Sequence, residues 1–112
     1  MITGIRLKEK SKKFSRIIAG VSQAHRLGIL YILAHKPMEA HDIAANIDLS
    51  ENLVSHHLKR MLKSGWVTKA RIGRNMTYEV NPRVFKNLMK FFEKTPFERK
   101  VVFKDPIREK YS

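Results

Sequence analysis

Lys59, Arg60, Lys63, Lys69, Arg71 and Arg74 fall within a window, residues 52–78, that contains no Asp or Glu. Cations at this density, with no internal anion to neutralise them, select a polyanion. A helix-length segment followed by a hairpin-length segment is the layout of a surface that faces nucleic acid. Asn52, Ser55 and His56 share the window; their amide, hydroxyl and imidazole groups suit hydrogen bonding to base edges. Ser50 stands just ahead of it. Other chemistry is missing from the pattern. With no cysteine there is no disulfide, thiolate nucleophile or Cys-based zinc site. There is no G-x-S-x-G, no glycine-rich phosphate loop and no H-E-x-x-H. These residues describe a binding protein rather than an enzyme, and they imply no cofactor.

The whole chain is basic, with 23 Lys and Arg against 10 Asp and Glu, a formal charge of +13. Residues 1–21 hold six basic side chains and one acidic, and residues 81–112 nine and four. Residues 22–80 hold eight and five, yet all five acids lie outside the 52–78 window. The charge is therefore arranged, and it implies an anionic partner. At 112 residues, 43% apolar and 29% charged, the sequence fits one soluble globular domain spanning 1–112. No apolar run reaches the roughly 18 residues of a membrane span, and the N-terminus lacks the apolar block of a signal peptide. A cytoplasmic protein is expected, with no membrane partner.

The elements that must position the basic window follow from periodicity. Leu7, Phe14, Ile17, Ile18 and Val21 fall at spacings of three, four and seven, predicting a helix over 5–21. The stripe is interrupted near Lys10 and Ser11, so weak first turns are expected. Gly20 and Ser22 predict a break and a new N-cap. A second helix over 23–35 is apolar nearly all round, with Leu27, Leu30 and Tyr31 on one face and Ile29, Ile32 and Leu33 on much of the other. Such a helix is buried on more than one side, which in a small chain points to a second subunit. Gly28 inside it predicts close packing, and Pro37 stops it. A third helix over 40–47 ends at Asp48. Ser50 then caps a fourth over 51–64, whose core side is Val54, Leu58, Met61 and Leu62. Gly65 is the left-handed stop. Residues 66–72 and 76–80 read as two strands joined by a three-residue loop, Gly73-Arg74-Asn75. A helix over 83–93 carries Phe85, Leu88, Met89 and Phe92 in one stripe. Thr95-Pro96-Phe97-Glu98 has a capping-box pattern, predicting a short last helix within a 95–112 extension.

Helices three and four with their tight connection make a helix-turn-helix over 40–64, and the basic hairpin over 66–80 makes a wing. The fold class is mainly α with a small β-hairpin: a winged helix-turn-helix of about five to six helices and a two-stranded wing. The fourth helix would enter a major groove about 12 Å wide. Arg74, at the wing tip, would reach the minor groove, while Lys69 and Arg71 meet flanking phosphates. Of the paired histidines, His56 is expected outward and His57 beside the core; Trp66 is read as packing rather than base-stacking. Lys12 and Lys13 suit a DNA-contacting arm and a solvated face equally.

The run AHRLGILYILAHKP, then AHDIAANIDLSENLVSHHLKRMLKSGWVTKARIGRNMTYEV, resembles the ArsR-type (ArsR/SmtB-like) winged-helix regulators. The matching features are R-L-x-I-L in helix two, the D-I-A-x-x-I-x-L-S turn, V-S-x-H-L in helix four, and S-G-W-V before a wing with G-R and a closing Tyr. The resemblance covers residues 23–92. It implies a homodimer joined through the first and last main helices, with Phe14, Ile17, Ile18, Val21, Phe85, Leu88, Met89 and Phe92 at the interface. It implies binding to double-stranded DNA at an operator of imperfect two-fold symmetry, and repression relieved by a ligand, often a metal. In metal sensing the chain departs from the pattern. The thiolate positions near helix three hold Glu39 and His41, with Ala44 where a further Cys can occur, and residues 81–112 contain no His. Two ligands fall short of the three or four that zinc takes, so no metal is expected and the effector is left open. The rival expectation, from the +5 carried by each end, is a weakly sequence-selective architectural DNA- or RNA-binding protein.

Overall fold

In a computed structural model of the chain, residues 1–93 and 95 are described. The elements are α1 (Gly4–Ala19), α2 (Ala24–Leu33), β1 (Met38–Glu39), α3 (Ala40–Ile47), α4 (Glu51–Lys63), β2 (Val67–Ile72), β3 (Asn75–Val80) and α5 (Pro82–Phe91). The fold is a winged helix-turn-helix with five helices and a three-stranded antiparallel sheet in the order β1-β3-β2 among these residues. The expected last helix, beyond Thr95, lies outside the described residues.

Five local expectations are corrected. The wing has a third strand: Met38 and Glu39 pair with Tyr78 and Thr77 of β3. Pro37 bars helix there, and the two residues extend only because β3 offers its free edge. The hairpin loop is two residues, since Ile72 pairs directly with Asn75. Gly73 has φ 66° while Arg74 keeps a negative φ, the pattern of the glycine-first turn whose twist matches the strands. Trp66 precedes the strand, its N–H donating to Met61 O at 3.0 Å. At the start of α2 the cap is Gln23, whose side chain accepts from Arg26 N at 3.1 Å, while Ser22 Oγ donates back to Ala19 O. α1 is continuous through Lys10 and Ser11.

The core gathers Ile29, Leu30 and Leu33 of α2, Ile43 and Ala44 of α3, Val54, Leu58 and Met61 of α4, with Val21, Trp66 and Val67. It is the contact between α2, α3 and the inner side of α4, closed from below by the base of the wing. α2 is covered on one side only: Leu27 and Tyr31 stand 57% and 70% exposed. The expected close approach at Gly28 is real, because a Cβ there would lie 2.9 Å from the Ile47 Cδ1 methyl. Asp48 takes the left-handed cap position at φ 57°, a conformation that Asp tolerates better than most residues. α5 starts where Asn81 accepts from Arg83 N at 3.1 Å, with Pro82 at its first position. No side chain of α5 is fully buried, although its apolar residues line one stripe.

Candidate nucleic-acid interface

Ser50 holds the start of α4 by accepting from Leu53 N at 3.1 Å, so one of the amides a helix start leaves unpaired is satisfied. From that cap the helix divides cleanly. Val54, His57, Leu58 and Met61 are buried, and Asn52, Ser55, His56, Lys59, Arg60 and Lys63 are all exposed. At 100° per residue the exposed set spans an arc of about 140°. Glu51 lies outside that arc, toward the α3 side, where its carboxylate is 3.8 Å from His41 Nδ1. That ion pair, the one found among the described residues, involves none of the six window cations. Both partners are exposed, so it adds little to stability.

The wing continues the cationic surface. Alternation along β2 places Lys69 and Arg71 on the same face as Val67, opposite Tyr78 and Met76 of β3. Glu79, the acid that ends the window, pairs with Thr68 and so faces the other side of the sheet. Arg74 is exposed at the turn. The structure thus brings the ten expected DNA-facing residues to the outer surface of α4, its cap and the wing.

Behind the arc lies a group that charge counting misses. His57 is 6% exposed, and neither ring nitrogen has a hydrogen-bond partner among the described residues. Its ring meets His25 of α2 edge-on at 5.5 Å and His56 at 5.9 Å. Burial depresses its pKa below 6.5, and the charges of Arg26, His25, His56 and Arg60 act in the same direction. The unfolded chain therefore binds more protons than the folded one as pH falls below 6.5. The stability that neutral His57 permits is complete above 6.5 and is lost on acidification, at no more than about 1.4 kcal/mol per pH unit. Urea unfolding at pH 7.5 and 5.5 is expected to show this loss, and His57→Leu to shrink it. An unchanged pH slope in the variant would assign the effect elsewhere.

The expected interface residues divide differently. Val21 belongs to the chain's own core and Ile17 packs against it. Phe14 is buried against Phe91 of α5, ring centroids 5.0 Å apart. Ile18 and Phe85 are 45% and 44% exposed, and Leu88, Met89 and Phe92 half-buried. Ile18, Leu88, Phe91 and Phe92 line an open groove of about 250 Å³ between α1 and α5. His41 and Glu39 gather no third ligand: no group of three His, Asp or Glu suited to a metal ion occurs among the described residues. No helix of the described residues is long and apolar enough to cross a membrane.

Residues 24–69 match the sequence model of the bacterial regulatory proteins of the arsR family. Over those residues the chain is similar to the helix-turn-helix of that family. The matched segment runs from the first residue of α2 to the middle of β2, and so contains all of the α4 arc. A sequence comparison with curated proteins finds no match. Solved structures extend the likeness to most of the chain. An ArsR-like transcriptional regulator from Rhodococcus sp. RHA1 is 20% identical, with a TM-score of 0.71, covering 82% of this chain and 87% of its own. A homodimeric winged helix-turn-helix DNA-binding domain from Mycobacterium bovis, of a possible ArsR-family regulator, is 20% identical, with a TM-score of 0.66 and coverages of 80% and 83%. The transcriptional repressor BigR from Xylella fastidiosa is 14% identical, with a TM-score of 0.65 and coverages of 81% and 94%. At these identities the structures establish the shared fold. Within it, the matched helix-turn-helix segment sits between α1 and α5, both outside the matched residues.

Proposed function

We propose that the chain is a homodimeric, sequence-specific transcriptional regulator that represses by binding a two-fold-symmetric operator in the cytoplasm. The observation that carries this reading is the acid-free, exposed arc of α4 on a helix whose opposite side is locked into the core. A helix so seated presents its side chains rigidly to base edges, while the flanking cations supply the phosphate contacts. Asn52, Ser55 and His56 are assigned to base edges. Ser50, Lys59, Arg60, Lys63, Lys69 and Arg71 are assigned to phosphates, and Arg74 to the minor groove. The amphipathic α5 without a fully buried residue, and the groove it forms with α1, support pairing of those helices between two copies. The Mycobacterium bovis domain is itself a homodimer, and BigR is a repressor. Two α4 helices would then lie about 34 Å apart, one turn of DNA.

Selection from random duplex oligonucleotides at physiological salt tests the reading. An enriched palindromic motif is expected. Binding without enrichment would instead favour the weakly selective architectural protein that the basic ends permit. Within the enriched motif, Lys63→Ala is expected to weaken all sequences alike and lower the salt slope by about 1. Asn52→Ala or His56→Ala should relax discrimination at one position by about 1–3 kcal/mol. Equal losses on all sequences for the latter two would move them from base edges to phosphates.

A further inference from the structure

The end of α1 touches the end of α4 at a glycine for which the backbone has no need. Gly20 sits at φ −62°, in the right-handed helical region. A Cβ there would overlap the Ser64 side chain and lie 2.9 Å from Trp66 Cδ1, so close approach is what requires glycine. The Gly20 carbonyl accepts from buried Arg26 Nε of α2 at 2.9 Å. One turn earlier the Ile17 carbonyl accepts from Trp66 Nε1 at 2.5 Å, a bond spanning 49 residues. The same tryptophan reaches the other end of the chain. Its ring meets Phe85 of α5 edge-to-face at 5.1 Å. Its carbonyl accepts from Asn81 N at 2.9 Å, and Asn81 Nδ2 donates to Gly65 O at 3.0 Å while the same side chain caps α5.

α1 and α5 are the helices assigned above to the subunit contact, and α4 and the wing are the elements assigned to DNA. Trp66 is bonded or packed to all of them, and it is 2% exposed, without space to re-orient. We infer that Trp66, seated on Gly20, is a positioning residue: it fixes the angle between the dimer helices and the reading surface, and thereby the half-site spacing the protein accepts. This rests on the two-fold reading of the preceding subsection. The junction itself contributes no DNA contact. Its consequence is selectivity for spacing rather than for base sequence, because each inserted base pair rotates one half-site by about 35° and a rigid protein cannot follow.

The test uses the motif recovered by selection, with its central spacer shortened or lengthened by one and two base pairs, and a duplex bearing a single half-site. Wild type is expected to lose about tenfold or more in affinity for a one-base-pair change, paid in DNA distortion. Trp66→Phe retains an aromatic ring toward Phe85 while removing the Nε1–H donor and part of the indole's bulk; Gly20→Ala instead pries α1 from Ser64. Both are measured at a temperature where circular dichroism shows them folded. At least one is expected to reduce the one-base-pair penalty to about threefold or less while leaving the single half-site unchanged. A spacing profile as sharp as wild type in both variants overturns the inference, as does parallel loss on the single half-site, which would mean that the junction shapes the reading surface itself. A flat profile in wild type would overturn the two-fold reading instead, and the inference with it.

Discussion

Ile18→Glu is expected to leave each protomer folded and to lower operator affinity by about two to four orders of magnitude, the gain that linking two binding modules supplies. Ile18 is 45% exposed, so the substitution removes little packing within one copy. A carboxylate in the last turn of α1 also opposes the helix dipole, at a cost of about 0.3–1 kcal/mol, too little to unfold the domain. Between two copies the balance is different. Ile18 lines the groove with Leu88, Phe91 and Phe92, a lining without a cation, and a glutamate carried into an apolar interface there would be desolvated without a partner from that lining. A symmetric interface repeats the insult, since the same residue enters from both sides. Sedimentation equilibrium should then report a monomer, and titration with the palindromic duplex should fall to single-half-site affinity. A variant that remains dimeric and binds as wild type would remove the α1–α5 face from the subunit contact.

Leu58→Ala is expected to destabilise the domain by about 2–5 kcal/mol, the range for emptying a closed core position. Leu58 is 0% exposed and lies on α4 between Val54 and Met61, both also 0% exposed. Against a typical total of about 5–15 kcal/mol the loss is large. It falls on the helix that carries the proposed reading arc, so DNA binding should weaken with it. Urea denaturation measures the change; a loss under about 1 kcal/mol would mean that the site collapses readily around the smaller side chain.

Much of this could be read from residue order, because the signals are local. The α4 boundaries follow from Ser50 as a cap and Gly65 as a stop, and its inner side from Val54, Leu58 and Met61 at helical spacing. α3 likewise spans the expected residues 40–47. Where a partner distant in sequence decides the outcome, local reading fails. β1 is two residues long and exists only against β3. Asn75 is a strand residue because Ile72 lies opposite it. Leu30 is buried while Leu27 and Tyr31 of the same helix stay wet, which periodicity alone could not separate in a helix apolar nearly all round.

The same division holds for the candidate site. Sequence by itself determined which side chains make up the exposed cationic arc proposed to face DNA, since an acid-free window and a capped amphipathic helix depend on neighbours three or four residues away. Tertiary structure decided how they are held. It put Glu79 on the far face of the wing, closed His57 in against His25, and joined Ile17 to Trp66 across 49 residues. The cause is physical. Periodicity and capping report which side of an element faces water, but hydrogen bonds between elements and the depth of burial exist only after the chain has closed its long loops.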